Sequence, residues 1–460
     1  MKNTLNEVIN TRIMNTKRGL RIWIEGITLE RSGFERGVHY SLDASKNKII
    51  LSLNDFGNRK VSGKKTKYYD YPVIDLCGLW LNDFFSPNDM VMAKISDGQI
   101  TIETHKEEVC KKKREEALLK DEVLHEASLC FGIGVSAHAV NKALRDANIK
   151  SATSLVMERE SKYLRVASQN NSVLSRDTLV YQGDIESCDP SVLENVKAHI
   201  LSISLPCTGH SSAGKAKNKI KNAEDHGSDA TAIFGALKVI EAVNPSVIIS
   251  ENVVSAKNSA TYSLFKAELK RKNYEIFEVI LDEAQSDSLE KRRRYWFVAM
   301  SVNIAKGFSL ENIYKFIPKK KNKTISDIID YREDHNFFSP ETFLKREEVN
   351  LKNGRNFRCN FVSDSDEYVG VIPRHYAKRQ NSNPHYLDES TGLIRLFDEN
   401  EHAKIKGIPV ELVKNTPATT AHEGLGQSIL YAHAYIITRA IAEHIKYIRS
   451  HYLNFELLAA

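Results

Sequence analysis

The sequence of 460 residues lacks several features that would assign it to a specialised class of protein. Its six cysteines are scattered without a Cys-x-x-Cys pair, so neither a disulfide framework nor a zinc cluster is indicated. No apolar run approaches the roughly 18 residues that cross a bilayer, and the N-terminal stretch lacks the apolar core of a signal peptide. We therefore expect a cytoplasmic protein with no membrane partner.

Charge of both signs is present in ordinary amounts. Hydrophobic residues make up 42% and charged residues 27%, which is typical of soluble globular proteins, and the formal net charge is +6. The length predicts two or three domains. Basic residues also form short runs, at Lys64-Lys65, Lys111–Arg114, Lys291–Arg294 and Lys319–Lys321. One such run indicates a solvated face, whereas several in one chain favour a surface that contacts phosphates.

The first hundred residues have the texture of a mostly-β region with an internal repeat. Gly26 and Leu29 in one passage correspond to Gly78 and Leu81 in the next, at a spacing of 52 residues, and an alternating strand closes each unit. The repeat predicts two small β modules, residues 1–55 and 56–104. They resemble the swapped-hairpin barrels of the AbrB and SymE-toxin type, which often bind DNA. Two ordinary β-hairpins used for packing are an equal alternative.

The rest of the chain has the alternation of an α/β protein. After a densely charged stretch that we expect to be a helical linker, residues 105–128, apolar strands alternate with amphipathic helices. This pattern predicts a doubly wound, Rossmann-like sheet, and a Lys-, Asn-, Asp- and Arg-rich insertion interrupts it. The predicted parts are a catalytic part, an inserted recognition region and a return segment, at residues 129–301, 302–390 and 391–460.

Three successive strand ends carry the residue types of a nucleoside pocket. A glycine turn follows the first strand, and such a turn lets the backbone approach a cofactor. The next strand ends at Glu158, which could take two ribose hydroxyls, and the third is followed by Asp184. Either acid alone is more often a helix cap or a solvated side chain, but the three ends in register favour the pocket. Its predicted residues are Phe131, Gly132, Gly134, Glu158, Asp184 and Ile185.

The next strands predict a nucleophile and its partners. Cys207 lies on a loop beyond the fourth strand, where a thiol is well placed as a nucleophile, although a lone cysteine is usually buried and inert. The polar, basic loop that follows could close over an extruded base and contact phosphates, with Ser211, Ser212 and Lys215 as candidates. Glu251 ends the fifth strand beside the cysteine, and Arg292 and Arg294 point toward the same edge.

In this order the motifs resemble those of the DNA cytosine-5 methyltransferases, over roughly residues 126–448. Pro206-Cys207 is similar to the family's nucleophile loop, Glu251-Asn252-Val253 to its Glu-Asn-Val motif, and Glu290–Arg294 to its Gln-x-Arg-x-Arg strand. Further motifs follow the insertion. Arg395-Leu396 with Glu401 and Gly407-Ile408-Pro409 resembles the motif that supports the recognition region. Gly424–Ile429 resembles the segment that returns to the cofactor pocket. The resemblance therefore adds Gln427 and Ser428, and also Pro206 of the nucleophile loop, to the expected cofactor-binding residues.

The resemblance implies a mechanism and its requirements. The cofactor would be S-adenosylmethionine, no metal would be needed, and Cys207 would add to C6 of a flipped-out cytosine. Glu251 would offset the charge that builds on the ring, with Arg292 and Arg294 as further catalytic residues. Duplex DNA would be the partner of the insertion, through side chains such as Arg374 and Lys378. A cognate restriction endonuclease is a further partner that the resemblance suggests, and we expect a monomer.

The sequence departs from the family pattern at four positions. Leu205 replaces the first proline of the nucleophile loop, Thr208 replaces a glutamine, Glu290 replaces the glutamine before the arginines, and Gln427 replaces a late asparagine. Reduced activity is one consequence that these changes allow. They leave open a catalytically impaired DNA-binding regulator on the same scaffold. A transfer-RNA cytosine-5 methyltransferase is a second alternative, because a subgroup that the motifs equally resemble acts on transfer RNA.

Overall fold

The structure is a computed structural model that describes residues 5–45, 48–206, 209, 231–319, 323–332 and 334–459. The chain divides into two compact units, Met1–Lys113 and Arg114–Ala460. Among the described residues, no helix combines the length and the apolar character that crossing a bilayer requires.

The first unit is built mainly from short β-strands. Its described strands are β1 (Leu5–Arg12), β2 (Met14–Thr16), β3 (Gly19–Glu25), β4 (His39–Ser45), β5 (Lys48–Leu53), β6 (Arg59–Lys60), β7 (Ser62–Lys65), β8 (Asp70–Gly78), β9 (Met90–Ser96) and β10 (Gln99–Thr104). They form a six-stranded sheet, in the order β1-β9-β10-β5-β4-β6, and a four-stranded sheet, in the order β2-β3-β8-β7. The helices are α1 (Ile27–Arg31), a 3₁₀ helix (Leu79–Asp83), and α2 (Lys106–Lys120), which continues into the second unit.

The two halves of this unit share one order of elements. Strand β3 is followed by α1, β4 and β5, and β8 is followed by the 3₁₀ helix, β9 and β10. Gly26 and Gly78 stand before the two helices with φ of 145° and 152°, and Leu29 and Leu81 are fully buried. At these φ angles a Cβ is disfavoured, which explains the glycine in both copies. The likeness to swapped-hairpin barrels stays a prediction.

The second unit contains the long sheet and most of the helices. Its strands are β11 (Leu124–Leu129), β12 (Ser151–Glu158), β13 (Leu179–Gln182), β14 (Ile200–Ile203), β15 (Val247–Asn252), β16 (Tyr274–Leu281), β17 (Arg294–Ser301), β18 (Asn360–Val362), β19 (Pro384–Asp388) and β20 (Leu393–Arg395). Its described α-helices are α3 (Val135–Asp146), α4 (Ser161–Asn170), α5 (Ala232–Val243), α6 (Ala260–Arg271), α7 (Glu341–Lys352), α8 (Glu399–Ile405), α9 (Ala418–Gln427) and α10 (Tyr431–Ala459).

Seven of these strands form one sheet with helices on both faces. The order is β13-β12-β11-β14-β15-β17-β16, parallel from β13 to β15, with β17 antiparallel to both of its neighbours. On β14, Ile200 packs into the core with α3 and α10, whereas Leu201 packs on the opposite face with α5 and α6. The predicted doubly wound α/β fold is therefore confirmed. The strand order reverses between β11 and β14, and ligands bind at such a switch point beyond the carboxyl ends.

Two segments differ from the sequence-based expectation. Residues 105–128 were expected to be helical throughout, but α2 ends at Lys120 and β11 begins at Leu124. The apolar Leu124 and Leu129 are buried in the sheet, and this burial outweighs the helix-forming charged residues nearby. The other difference is β20, which follows the insertion in sequence but pairs with β19 in the three-stranded sheet β18-β19-β20.

Candidate active site

The glycine turn, residues 131–134, lies between β11 and α3 and is held by backbone hydrogen bonds. Phe131 N donates to Met157 O at 3.0 Å, and Gly132 N donates to a carboxylate oxygen of Glu158 at 2.7 Å. Gly132 and Gly134 have φ of 59° and 81°, in the left-handed region that favours glycine. A Cβ on Gly134 would lie 2.3 Å from Asn171 Nδ2 and 2.4 Å from the Phe131 ring, so the turn leaves no room for a side chain there.

The predicted nucleoside residues meet at this turn. Besides the bond from Gly132, the Glu158 carboxylate accepts a hydrogen bond from Glu160 N at 2.9 Å, and Glu158 O accepts one from Gly183 N at 3.1 Å. Asp184 comes next and is 55% exposed at its side chain, with Arg159 Nη1 3.6 Å from its carboxylate. Ile185 is buried. The three strand ends are thus brought together, with Glu158 fixed in orientation and Asp184 open to solvent.

The chain just before Cys207 is anchored by Asn252. Asn252 Nδ2 donates to Leu205 O at 3.1 Å and to the Tyr262 hydroxyl at 2.9 Å. Leu205 is buried, and Pro206 is half-buried. The structure therefore ties the loop after β14 to the end of β15. The predicted residues Cys207, Ser211, Ser212 and Lys215, with the departure at Thr208, lie outside the described residues.

Glu251 lies at the end of β15 with an arginine beside it. Strands β15 and β17 pair antiparallel, which places Arg294 Nε 3.1 Å from a Glu251 carboxylate oxygen. Both side chains are largely buried, 12% exposed for Glu251 and 15% for Arg294. Burial raises the pKa of Glu251 above its ordinary value, although Arg294, Arg292 and Lys406 oppose the rise. The carboxyl group therefore keeps its proton to a higher pH than a free glutamic acid does.

Arg292 faces a different group. It is buried, and it belongs with Glu290 and Lys406 to a set of three charged side chains that we call the Glu290 cluster. Its Nη1 lies 3.4 Å from a Glu290 carboxylate oxygen, and its Nη2 donates to Gly426 O at 3.2 Å. Of the two predicted arginines, Arg294 is therefore the one in contact with Glu251, and Arg292 contacts the return segment.

The return segment reaches the glycine turn. Gln427 ends α9 and is exposed, and its Nε2 lies 3.7 Å from the point where a Cβ on Gly132 would stand. Ser428 O accepts a hydrogen bond from Lys406 Nζ at 2.8 Å, and Ser428 Oγ donates to Gly424 O at 2.6 Å. Gln427 therefore lies beside the glycine turn, its role toward a cofactor stays a prediction, and Ser428 is engaged with its own segment.

The two predicted DNA-contacting residues of the insertion lie in different surroundings. Lys378 is exposed. Arg374 is half-buried, with its guanidinium 5.8 Å from the centre of the Tyr163 ring, and it helps to lower the pKa of Glu423. Arg374 is therefore already engaged with side chains of α4 and α9, whereas Lys378 is available to a partner.

Sequence reasoning missed three residues that shape the site. Asn171 is buried and donates from Nδ2 to Ile133 O and Gly134 O, at 3.1 and 3.0 Å, which locks the glycine turn. Lys406 contacts Glu290, and Arg159 contacts Asp184. Arg159 could have been found, because it directly follows Glu158. Asn171 and Lys406 have no signal in the sequence, since only the fold brings them to their partners.

Comparisons with known proteins identify the family of the chain. The family of C-5 cytosine-specific DNA methylases matches residues 126–443, well over half of the chain. The type II methyltransferase M.BsuFI of Bacillus subtilis is 22% identical over 252 residues, which cover 54% of this chain and 58% of that protein. The chain thus spans less than two thirds of this curated relative.

Solved structures show the same fold. The Dnmt2 methyltransferase of S. pombe superposes with a TM-score of 0.55 at 18% identity, covering 71% of this chain and 99% of that one. The methyltransferase EhMeth of Entamoeba histolytica gives 0.55 at 16% identity, covering 70% and 99%. At such identities the likeness establishes the fold alone, whereas the match over residues 126–443 establishes more. The chain belongs to the family of C-5 cytosine-specific DNA methylases.

Proposed function

We propose that the protein transfers a methyl group from S-adenosylmethionine to C5 of cytosine in duplex DNA at a specific sequence, through a covalent bond between Cys207 and a flipped-out base. The observation that carries this proposal is the link between two strand ends. Asn252 binds the carbonyl of Leu205, two residues before Cys207, and the adjacent Glu251 is buried against Arg294. The segment that leads to Cys207 is thus anchored to the strand end that carries a protonatable carboxyl group.

The residues divide the chemistry between them. The Cys207 thiolate adds to C6, and electrons move toward N3 of the ring, where Glu251 supplies a proton or a hydrogen bond. The raised pKa of Glu251 suits this donation, and Arg294 orients the carboxyl group. Carbon 5 would accept the methyl group as the bond from that group to the donor's sulfur breaks and leaves a thioether, and carbon 5 would then lose its proton to a base. Departure of the thiolate and return of the N3 proton to Glu251 restore the aromatic ring and regenerate the enzyme.

The cofactor side fits S-adenosylmethionine, the methyl donor of this family. Each Glu158 oxygen accepts one backbone hydrogen bond and retains a second lone pair for a ribose hydroxyl. Gly132 has a left-handed φ and no side chain, so a cofactor could approach the backbone at this residue, and Gln427 lies beside it. Asp184 is exposed and can accept a hydrogen bond from an adenine amino group. The cofactor supplies an electrophilic methyl group.

The choice of duplex DNA rests on the insertion and on the relative. Residues 351–358 are exposed and include Arg355, Asn356 and Arg358, side-chain types that contact base edges and phosphates. M.BsuFI is a type II methyltransferase, which favours DNA. We propose residues 302–390 as the recognition region, with Lys378 among its DNA contacts. A cognate restriction endonuclease, a monomeric state and DNA contacts by the first unit stay predictions.

The test is transfer of radiolabelled methyl from S-adenosylmethionine to duplex DNA, run beside transfer RNA. Cys207→Ala should abolish labelling. Cys110→Ala, on helix α2 and outside the recognition region, is the matched control and should leave labelling unchanged. Label in RNA alone would move the substrate to RNA. Duplex binding without label on either substrate would favour the non-catalytic regulator.

A further inference from the structure

The three charged side chains of the Glu290 cluster are shielded from water. Glu290 and Lys406 are fully buried, and Arg292 is 5% exposed. Lys406 Nζ lies 3.3 Å from one Glu290 oxygen, and Arg292 Nη1 lies 3.4 Å from the other. Buried charges are costly unless each is paired and hydrogen-bonded, so the three side chains depend on one another.

The cluster joins three separate stretches of backbone. Glu290 accepts a hydrogen bond from Ile372 N at 2.9 Å, Arg292 donates to Gly426 O, and Lys406 donates to Ser428 O. The insertion and the return segment also touch each other, because a Cβ on Gly426 would lie 2.4 Å from Pro373 O. The strand that carries Arg294, the insertion and the return segment therefore meet at Glu290.

The carboxylate at position 290 offsets the positive charge of its two neighbours, Arg292 and Lys406. Burial alone would raise the pKa of Glu290, but Lys406 and Arg292 outweigh it and lower that pKa, so Glu290 is ionised. Burial, with Arg292 close by, lowers the pKa of Lys406 to about 7, although Glu290 opposes the change. Among the residues that the structure describes, Glu290 is the carboxylate within ion-pair distance of Lys406. A glutamine there, as in the family pattern, would leave two buried cations without a counter-charge.

We propose that Glu290 and Lys406 are a coupled pair of positioning residues, in which the carboxylate allows the lysine to be buried, and that they hold Arg292 and residues 426–428 in place for methyl transfer. The proposal rests on the proposed function. It also explains the departure at position 290, since the glutamate is matched by Lys406. Both residues are fully buried and bind backbone groups, so they act through the segments that they hold.

Three variants of the full chain test the coupling: Glu290→Gln, Lys406→Gln and the double variant. Glu290→Gln leaves Arg292 and Lys406 without their carboxylate, so we expect the melting temperature to fall by roughly 5–10 °C, whereas Lys406→Gln keeps the pair of Glu290 with Arg292 and should cost less. In the double variant an amide at 290 can still accept from Ile372 N, and an amide at 406 can donate to Ser428 O. One buried cation instead of two then lacks the carboxylate, so we expect the double variant to melt at a higher temperature than Glu290→Gln. Losses that simply add in the double variant would overturn the coupling.

Kinetics separate positioning from plain stabilisation. Because residues 426–428 border the glycine turn, each single variant should raise KM for S-adenosylmethionine and lower kcat/KM by roughly 100-fold, the scale of small misplacements in an active site. The matched control is Glu115→Gln, a buried carboxylate that accepts a hydrogen bond from Asn303 Nδ2 at 2.9 Å and lies outside the site. It should lower the melting temperature and leave KM unchanged. Single variants that behave like this control would overturn the positioning role.

The two proposals fail in distinguishable ways. If the wild-type chain transfers no methyl group, the proposed function fails, and the coupling is still decided by the melting temperatures and by calorimetric binding of S-adenosylmethionine. If the wild type is active and the double variant is no more stable than Glu290→Gln, the coupling fails and the proposed function stands.

Discussion

The two sides of the candidate site are held together by different forces. On one side, the glycine turn and Glu158 are fixed by backbone hydrogen bonds and by close packing against Asn171. On the other side, which we call the arginine side, Glu251 and Arg294 stand next to the Glu290 cluster, and buried charges hold the structure.

Because of this difference, the two sides should respond to different kinds of substitution. The glycine turn is limited by space, so added volume should damage it while changes of charge matter less. The arginine side is limited by electrostatics, so a change of protonation or charge should damage it even when volume is conserved. Each prediction below tests one side of this comparison.

The largest effect should come from Glu251→Gln on the arginine side. The amide has nearly the same volume but cannot transfer a proton to the cytosine ring, so we expect kcat for methylation to fall by roughly 1,000-fold. Steady-state methyl transfer measures it. Glu275→Gln, an exposed change on β16 of the same sheet, is the control and should leave kcat unchanged. A Glu251→Gln enzyme with full activity would remove Glu251 from the chemistry.

Gly134→Ala should damage the other side through volume alone. The new Cβ meets Asn171 and Phe131 at a φ of 81°, so we expect the free energy of unfolding to drop by about 3 kcal/mol. Urea unfolding provides the measurement. Gly354→Ala is matched for backbone strain, with a φ of 67° and open space around it, and should cost only about 1 kcal/mol. Equal losses in both variants would mean that packing at the turn is loose.

Acid should weaken the arginine side through His433. Its ring lies edge-on to Trp296 of β17, the strand that begins at Arg294, with the ring centres 6.2 Å apart. Its Nε2 contacts Asp282 O at 2.8 Å, and burial lowers its pKa to about 4. Between pH 6.5 and 4 the unfolded chain therefore binds a proton that the folded chain does not, and stability falls as the pH falls. From pH 6.5 to 5 the loss should be about 2 kcal/mol. His433→Gln cannot titrate, so its urea-unfolding free energy should fall less over this range, and an unchanged pH dependence would contradict the assignment.

The smallest effect should come from Asp184→Asn, a change of charge on the glycine-turn side. Asp184 is exposed, and its oxygen can still accept a hydrogen bond as an amide, so we expect the affinity for S-adenosylmethionine to fall by about fivefold. Calorimetric titration measures the affinity. Asp177→Asn, an exposed change in the loop before β13, is the control. A loss above 100-fold would show that charge also governs this side.

Much of the site could be predicted because its residues stand at strand ends. The carboxyl ends of parallel strands meet at one edge, so the order of motifs was enough to bring the glycine turn, Glu158, Asp184 and Glu251 together. The contact between Arg294 and Glu251 was harder to predict from the sequence, since it depends on β17 running antiparallel to β15. The linker prediction was wrong at residues 124–128 because burial in the sheet outweighs local helix propensity.

By itself, the sequence determined the class of fold and predicted the strand-end residues of the candidate site, because both follow from periodicity and from the order of short motifs along the chain. Only the tertiary structure decided which charges share a buried space. Glu290, Lys406 and the carbonyl of Ser428 are far apart in sequence and meet only when the return segment packs beside β17. The physical reason is that the cost of burying a charge depends on its neighbours in space, and the sequence does not list those neighbours.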